Sequence, residues 1–127
     1  MSASHSVIDN ANAATYSNAT QQTLSARTIT ENSGGFLGVR VTARRVSDGA
    51  TKVFDLEYGF KRDEGDVIVF GLNLLGVKGT VGDLIALAAV SATVDDSGSD
   101  TRIRVTGLAS TEIDWAFREY GEELNHV

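Results

Sequence analysis

The sequence predicts an all-β protein: an antiparallel β-sandwich, jelly-roll-like, of about seven or eight strands with an extended N-terminal arm. Three observations predict it. Apolar and polar residues alternate with a period of two in several segments, most clearly at Phe54, Leu56, Tyr58 and Phe60. Turn-forming Gly, Asp and Ser clusters separate these segments at intervals of about 8–12 residues. No strand–helix–strand series is visible. The length of 127 residues suits one domain with a sizeable core.

Residues 1–21 are small and polar, with Val7, Ile8 and Tyr16 as isolated apolar points. They are expected to form an arm, either flexible or ordered against a partner. The sandwich is expected over 22–120. In Phe36–Val46, Val39, Val41 and Ala43 face one way while Arg40, Thr42 and Arg44 face the other, and the phase slip at Arg45–Val46 suggests a bulge. Asp48–Gly49 reads as a hairpin turn into the strand Lys52–Phe60. After the turn at 63–66 come two short apolar stretches, 67–70 and 72–77, closed by Lys78–Gly79. Residues 84–94 carry enough Ala and Leu for a helix but end in β-branched residues, and a strand is expected. Residues 95–100 read as a polar turn. Residues 101–106 alternate with Ile103 and Val105 inward, and Ile113, Trp115 and Phe117 make the last inward row. Tyr120 is the expected strand end, followed by an acidic tail over 121–127.

Composition excludes several classes. The chain has no Cys, so it has neither a disulfide framework nor a cysteine metal site. No apolar run is long enough for a membrane-spanning helix, and the first residues do not read as a secretion signal. The net charge of -6 argues against a general nucleic-acid binder. That charge is uneven: residues 95–127 hold eight acids and three bases, a net of -5.

Little in the chain points to catalysis. The two histidines, His5 and His126, fall in the expected arm and tail. A general base needs a rigid position beside its substrate. There is no phosphate-binding loop, nucleophile elbow or zinc helix motif. Asp55 with Glu57, and Glu112 with Asp114, share strand faces at about 6.5–7 Å, within the range of inverting glycosidases, but any amphipathic strand with two acids gives this pattern. Asp95, Asp96 and Asp100 invite a calcium reading, without the spacing of an EF-hand. The expectation is a non-enzyme with no cofactor and no metal.

Basic and acidic faces instead suggest association. Arg40 and Arg44 lie outward on one strand, with Arg45 at the expected bulge, and Arg102 and Arg104 alternate on another. The C-terminal region holds Glu112, Asp114 and Glu119. Arginine suits interface ion pairs. Candidate interface residues are therefore Val7, Ile8, Tyr16, Arg40, Arg44, Arg45, Glu112, Asp114 and Glu119. Cross-strand pairing inside the domain is the competing reading for the charged ones.

Two segments carry a resemblance. FLGVRVTARRVSDGATKVFDLEYGFKRDEGD (36–66) and TRIRVTG followed by IDWAFREY (101–107 and 113–120) resemble small virion structural proteins of tailed bacteriophages. The resemblance runs from about Leu24 to Tyr120 and is weakest over 71–94. It implies a noncatalytic β-sandwich module of the head-decoration or fibre-base type. By that resemblance the chain is expected to be a capsid decoration or cement protein on the virion head surface. It would form a homo-oligomer, a trimer or other closed ring, and its partners would be the major capsid protein or other virion proteins, with no direct nucleic acid and no membrane. The alternatives are a tail or fibre component, or a carbohydrate-binding β-sandwich module, calcium-dependent in one version.

Overall fold

A computed structural model of the chain describes residues 3–73 and 80–126. Nine strands are present among them: β1 (Ala3–Tyr16), β2 (Gln22–Thr28), β3 (Ser33–Arg45), β4 (Thr51–Arg62), β5 (Ile68–Asn73), β6 (Val81–Gly82), β7 (Ser91–Ser97), β8 (Asp100–Thr106) and β9 (Ile113–His126). They form two antiparallel sheets. The larger runs β1-β9-β3-β4-β5, with β6 paired to β4; the smaller runs β2-β8-β7. The all-β sandwich expected from the alternation is therefore the observed fold.

The period of two decides what fills the space between the sheets. From the large sheet come Leu37, Val39, Val41 and Ala43 of β3, the row Phe54–Phe60 of β4, and Ile113, Trp115 and Phe117 of β9. Ala92, Val94, Ile103 and Val105 answer from the small sheet. All of these side chains are buried. Ile29 and Val67 are also buried, and both are bonded to the tight turn between β7 and β8: Ile29 N–H donates to Ser99 O at 2.8 Å and Val67 N–H to Gly98 O at 2.9 Å.

Several expectations change. The segment read as an arm contains β1, which pairs with β9 along its whole length, from Ala3 opposite His126 to Tyr16 opposite Ile113. The segment read as an acidic tail is the continuation of β9, which runs well past Tyr120. Small and polar residues are compatible with both strands because each is held by main-chain ladders along an edge of the core. At Gly121 the chain comes so close to Phe36 O of β3 that a Cβ would overlap it, so glycine is required there.

The expected bulge at Arg45–Val46 is absent. The β3–β4 register runs unbroken to Arg44 opposite Thr51, and the chain then turns, with Gly49 N–H donating to Arg45 O at 2.8 Å. Residues 84–89, expected in a strand, instead form successive turns, with Leu87 N–H on Asp83 O at 3.0 Å. Leu87 and Val90 are buried three residues apart, a spacing that a strand does not provide. The polar turn read over 95–100 shrinks to Gly98–Ser99, with Gly98 at φ 57° supplying the positive φ that a two-residue hairpin needs. The expected strand over 72–77 and its stop at Lys78–Gly79 lie largely outside the described residues.

Candidate functional site

The most distinctive surface is the outer face of the large sheet. The registers place Val7, Glu122, Phe36, Gly59 and Phe70 in one row across β1, β9, β3, β4 and β5. The next row places Leu124 of β9 and Ile68 of β5 on the same face, and the row on the other side adds Tyr120. Six large apolar side chains thus crowd one end of one face, each 41–77% exposed. Scattered surface apolar residues are ordinary; a group gathered on one end of a sheet face, here interrupted by Glu122 and Lys61, marks a candidate contact surface.

Two glycines make this region flat. The Tyr120 ring lies over Gly38, its direct cross-strand partner, and the Phe70 ring lies over Gly59. A side chain at either glycine would displace the ring. Phe36, Glu57, Tyr58, Gly59, Phe70 and Gly71 line a shallow depression between the aromatic residues.

A charged belt borders the apolar group. Arg40 and Arg118 stand directly opposite each other on β3 and β9, a like-charge pairing that disfavours a sheet on its own. An acid on each side offsets it: Asp55 lies 3.6 Å from Arg40 and Asp9 lies 3.7 Å from Arg118. Beyond the belt, Thr15 Oγ1 donates to Asp114 at 2.7 Å.

The nine residues singled out from the sequence do not form one surface. Val7, Arg40, Arg44 and Asp114 lie on the outer face, with Arg44 opposite Asp114. Glu112 is exposed just before β9. Arg45 is held by Asp48 within its own turn, at 3.0 and 2.7 Å. Tyr16 packs against the core. Ile8 and Glu119 are 3% and 2% exposed, which removes both from any surface. Glu119 instead ties the two sheets together: its carboxylate accepts from Ser25 of β2 at 2.9 Å and from Asn10 of β1 at 3.3 Å. Beside it, burial pushes the Tyr58 phenol well above its ordinary range, and its hydroxyl bonds Thr101 at 3.3 Å.

Several of the chemistry-bearing groups have partners within the chain. His5 stands on the outer face with its Nε2 2.7 Å from Glu122. Asp95 receives Arg102 in a two-pronged contact at 2.7 and 2.9 Å, with Arg104 at 3.7 Å. Asp96 accepts from Val69 N–H at 3.0 Å and Asp100 from Thr28 Oγ1 at 2.9 Å. The carboxylates of the calcium reading therefore point to three different partners. Among the described residues, no group of three or more His, Cys, Asp or Glu side chains is placed to hold a metal ion.

The sequence placed Phe36 at the start of one strand, Tyr120 at the end of another and Leu124 in an acidic tail, and joined none of them to a surface. Alternation along each strand was the available signal for their outward direction, and the cross-strand register that joins them was not.

No family model matches the chain. No curated protein matches it either. Among solved structures, the chain is similar to the tailspike protein of Acinetobacter baumannii phage AM24, with 11% identity and a TM-score of 0.44. The likeness covers 95% of this chain and 26% of the tailspike. The head-surface location expected from the sequence finds no match in this comparison, which returns a tailspike protein.

Proposed function

We propose that this chain is a noncatalytic structural module of a tailed-phage virion, a tail or fibre component that assembles on other virion proteins through the outer face of its large sheet. The observation that carries the reading is the group Val7, Phe36, Ile68, Phe70, Tyr120 and Leu124, which β1, β9, β3 and β5 expose on one face. Rigid strands hold it flat, and a belt of paired charges runs along one side of it. The resemblance of 36–66 and 101–120 to tailed-phage virion proteins supports the setting. His5, Asp55, Asp95, Asp96 and Asp100 are each bonded or paired within the chain, which supports a binding role.

The test is made in a phage that encodes this chain. Phe36→Ser with Phe70→Ser removes the centre of the apolar group without touching the core. Mass spectrometry of purified tails is expected to find the wild-type chain and to find the double variant depleted, with an unchanged melting temperature for the free protein. Absence of the wild-type chain from particles overturns the virion reading. Equal incorporation of the variant overturns the role of this face.

One observation favours a second reading. Phe36, Phe70 and Tyr120 present three aromatic side chains on one flat face, an arrangement that suits stacking against sugar rings. A glycan array separates the two: selective binding abolished by Tyr120→Ser supports the carbohydrate-binding alternative, and no binding removes it.

A further inference from the structure

Strand β1 forms one edge of the large sheet. Its neighbour on one side is β9, and on the other side alternate N–H and C=O groups of this 14-residue strand face outward with no strand against them among the described residues, the Ala13 N–H being met by its neighbour Asn12 Oδ1 at 2.8 Å. Natural edges of this length are usually guarded by lysine, proline, bulges or inward-pointing charges. Here the guards are missing. Residues 3–16 contain no Lys, Arg or Pro, and Asp9 is their one carboxylate. The β1–β9 register runs without a bulge. The opposite edge strand of this sheet, β5, is only six residues long. On the small sheet, edge strand β7 carries Asp95 and Asp96.

An open edge is satisfied by another strand, and we propose that the strand is β1 of a second copy, paired antiparallel about a two-fold axis perpendicular to the sheet. The symmetry restricts the register. Such an axis keeps the outer face outward in both copies, so residues opposite each other must share a face. Odd-numbered residues then face odd and even face even. Two registers give the longest overlap under this rule. One centres on Asp9 and sets the two Asp9 carboxylates against each other, which disfavours it. The other centres on Asn10: Ser4 stands opposite Tyr16 of the second copy, Val7 opposite Ala13, and Asp9 opposite Ala11. This register leaves no like charges opposed and joins the two large sheets into one. The inference does not depend on the virion reading.

The test uses the register's own charge logic at Ala11, an exposed residue on the outer face opposite Arg118. Sedimentation equilibrium and native mass spectrometry are run on the wild-type chain, Ala11→Asp and Ala11→Lys. The wild type is expected to dimerise. Ala11→Asp places a carboxylate opposite Asp9 of the other copy at two symmetric positions and is expected to weaken the dimer roughly tenfold. Ala11→Lys places an ammonium there and is expected to preserve or tighten it. Thermal melts establish that each variant is folded. A wild type that stays monomeric at high micromolar concentration overturns the proposal, as does the same response to Asp and Lys.

Discussion

Lys52 donates a hydrogen bond to the main-chain carbonyl of Val90 at 2.8 Å, and the same ammonium reaches Leu87 O at 3.0 Å. The side chain is 7% exposed and lies on the inward face of β4, with its nitrogen 5.2 Å from the centre of the Phe54 ring. It therefore stops the turns over 84–90 and fastens them to the large sheet.

Lys52→Met is expected to destabilise the protein by about 1–3 kcal/mol, because it removes the ammonium donor from Val90 O and leaves Leu87 O with Val90 N–H alone. Chemical denaturation measures this, and hydrogen exchange is expected to speed up first over 84–90. Burial holds the Lys52 pKa below its ordinary 10.5. The folded state therefore disfavours the charged form, and that penalty is present at neutral pH and fades as pH rises toward 10.5. Wild-type stability relative to Lys52→Met is expected to increase over that window.

Trp115 is the single tryptophan and is 1% exposed. Its fluorescence is expected to be blue-shifted and poorly quenched by acrylamide in the native state. Trp115→Ala is expected to cost about 3–5 kcal/mol through the cavity it leaves. Trp115→Phe costs less, because the buried indole N–H has no hydrogen-bond acceptor among the described residues.

The Arg45 guanidinium beside Asp48, aided by the Ala50 N–H, lowers the Asp48 pKa from 3.8 to about 2. A depressed carboxylate contributes stability that is complete above its unfolded value and is lost as pH falls through the folded one. The window is therefore about pH 4 down to about pH 2. Asp48→Asn is expected to flatten the fall in melting temperature over that interval, and a pH series of thermal melts measures it.

Asp95, Asp96 and Asp100 bond to Arg102, Val69 and Thr28 respectively. Millimolar calcium is expected to leave the melting temperature unchanged. Asp95→Asn is expected to lower stability by about 0.2–1 kcal/mol, the range for a partly exposed ion pair, with or without calcium. A calcium-dependent rise in melting temperature that Asp95→Asn abolishes would restore the calcium reading.

Much of the fold was legible because alternation is a local property. Phe54 to Phe60 and Ile113 to Phe117 show their buried face in the order of the residues. The same rule extends to positions that composition disguised. Carried two residues beyond Phe117 it points Glu119 inward, and carried two before Phe54 it points Lys52 inward. A charged side chain in those places looks like surface until its partners, Ser25 and Asn10 in one case and the carbonyls of 87 and 90 in the other, are known.

The strand β1 was not legible for a different reason. Its residues bury little, so hydrophobic pattern carries no signal, and what holds it is a main-chain ladder to a strand about a hundred residues away in sequence. Main-chain bonding is the same for every residue type except proline, so sequence is nearly silent about it.

The class of fold and the inward rows of the central strands could be read from the chain because residue type and near neighbours set both. Which strands are adjacent was settled only by folding. That choice gathers Val7, Phe36, Ile68, Phe70, Tyr120 and Leu124 onto one face, takes Ile8 and Glu119 off the surface, and leaves the long edge of β1 without a second neighbouring strand among the described residues. Each of these depends on register between segments far apart in the chain, where a shift of one residue would turn every side chain to the other face.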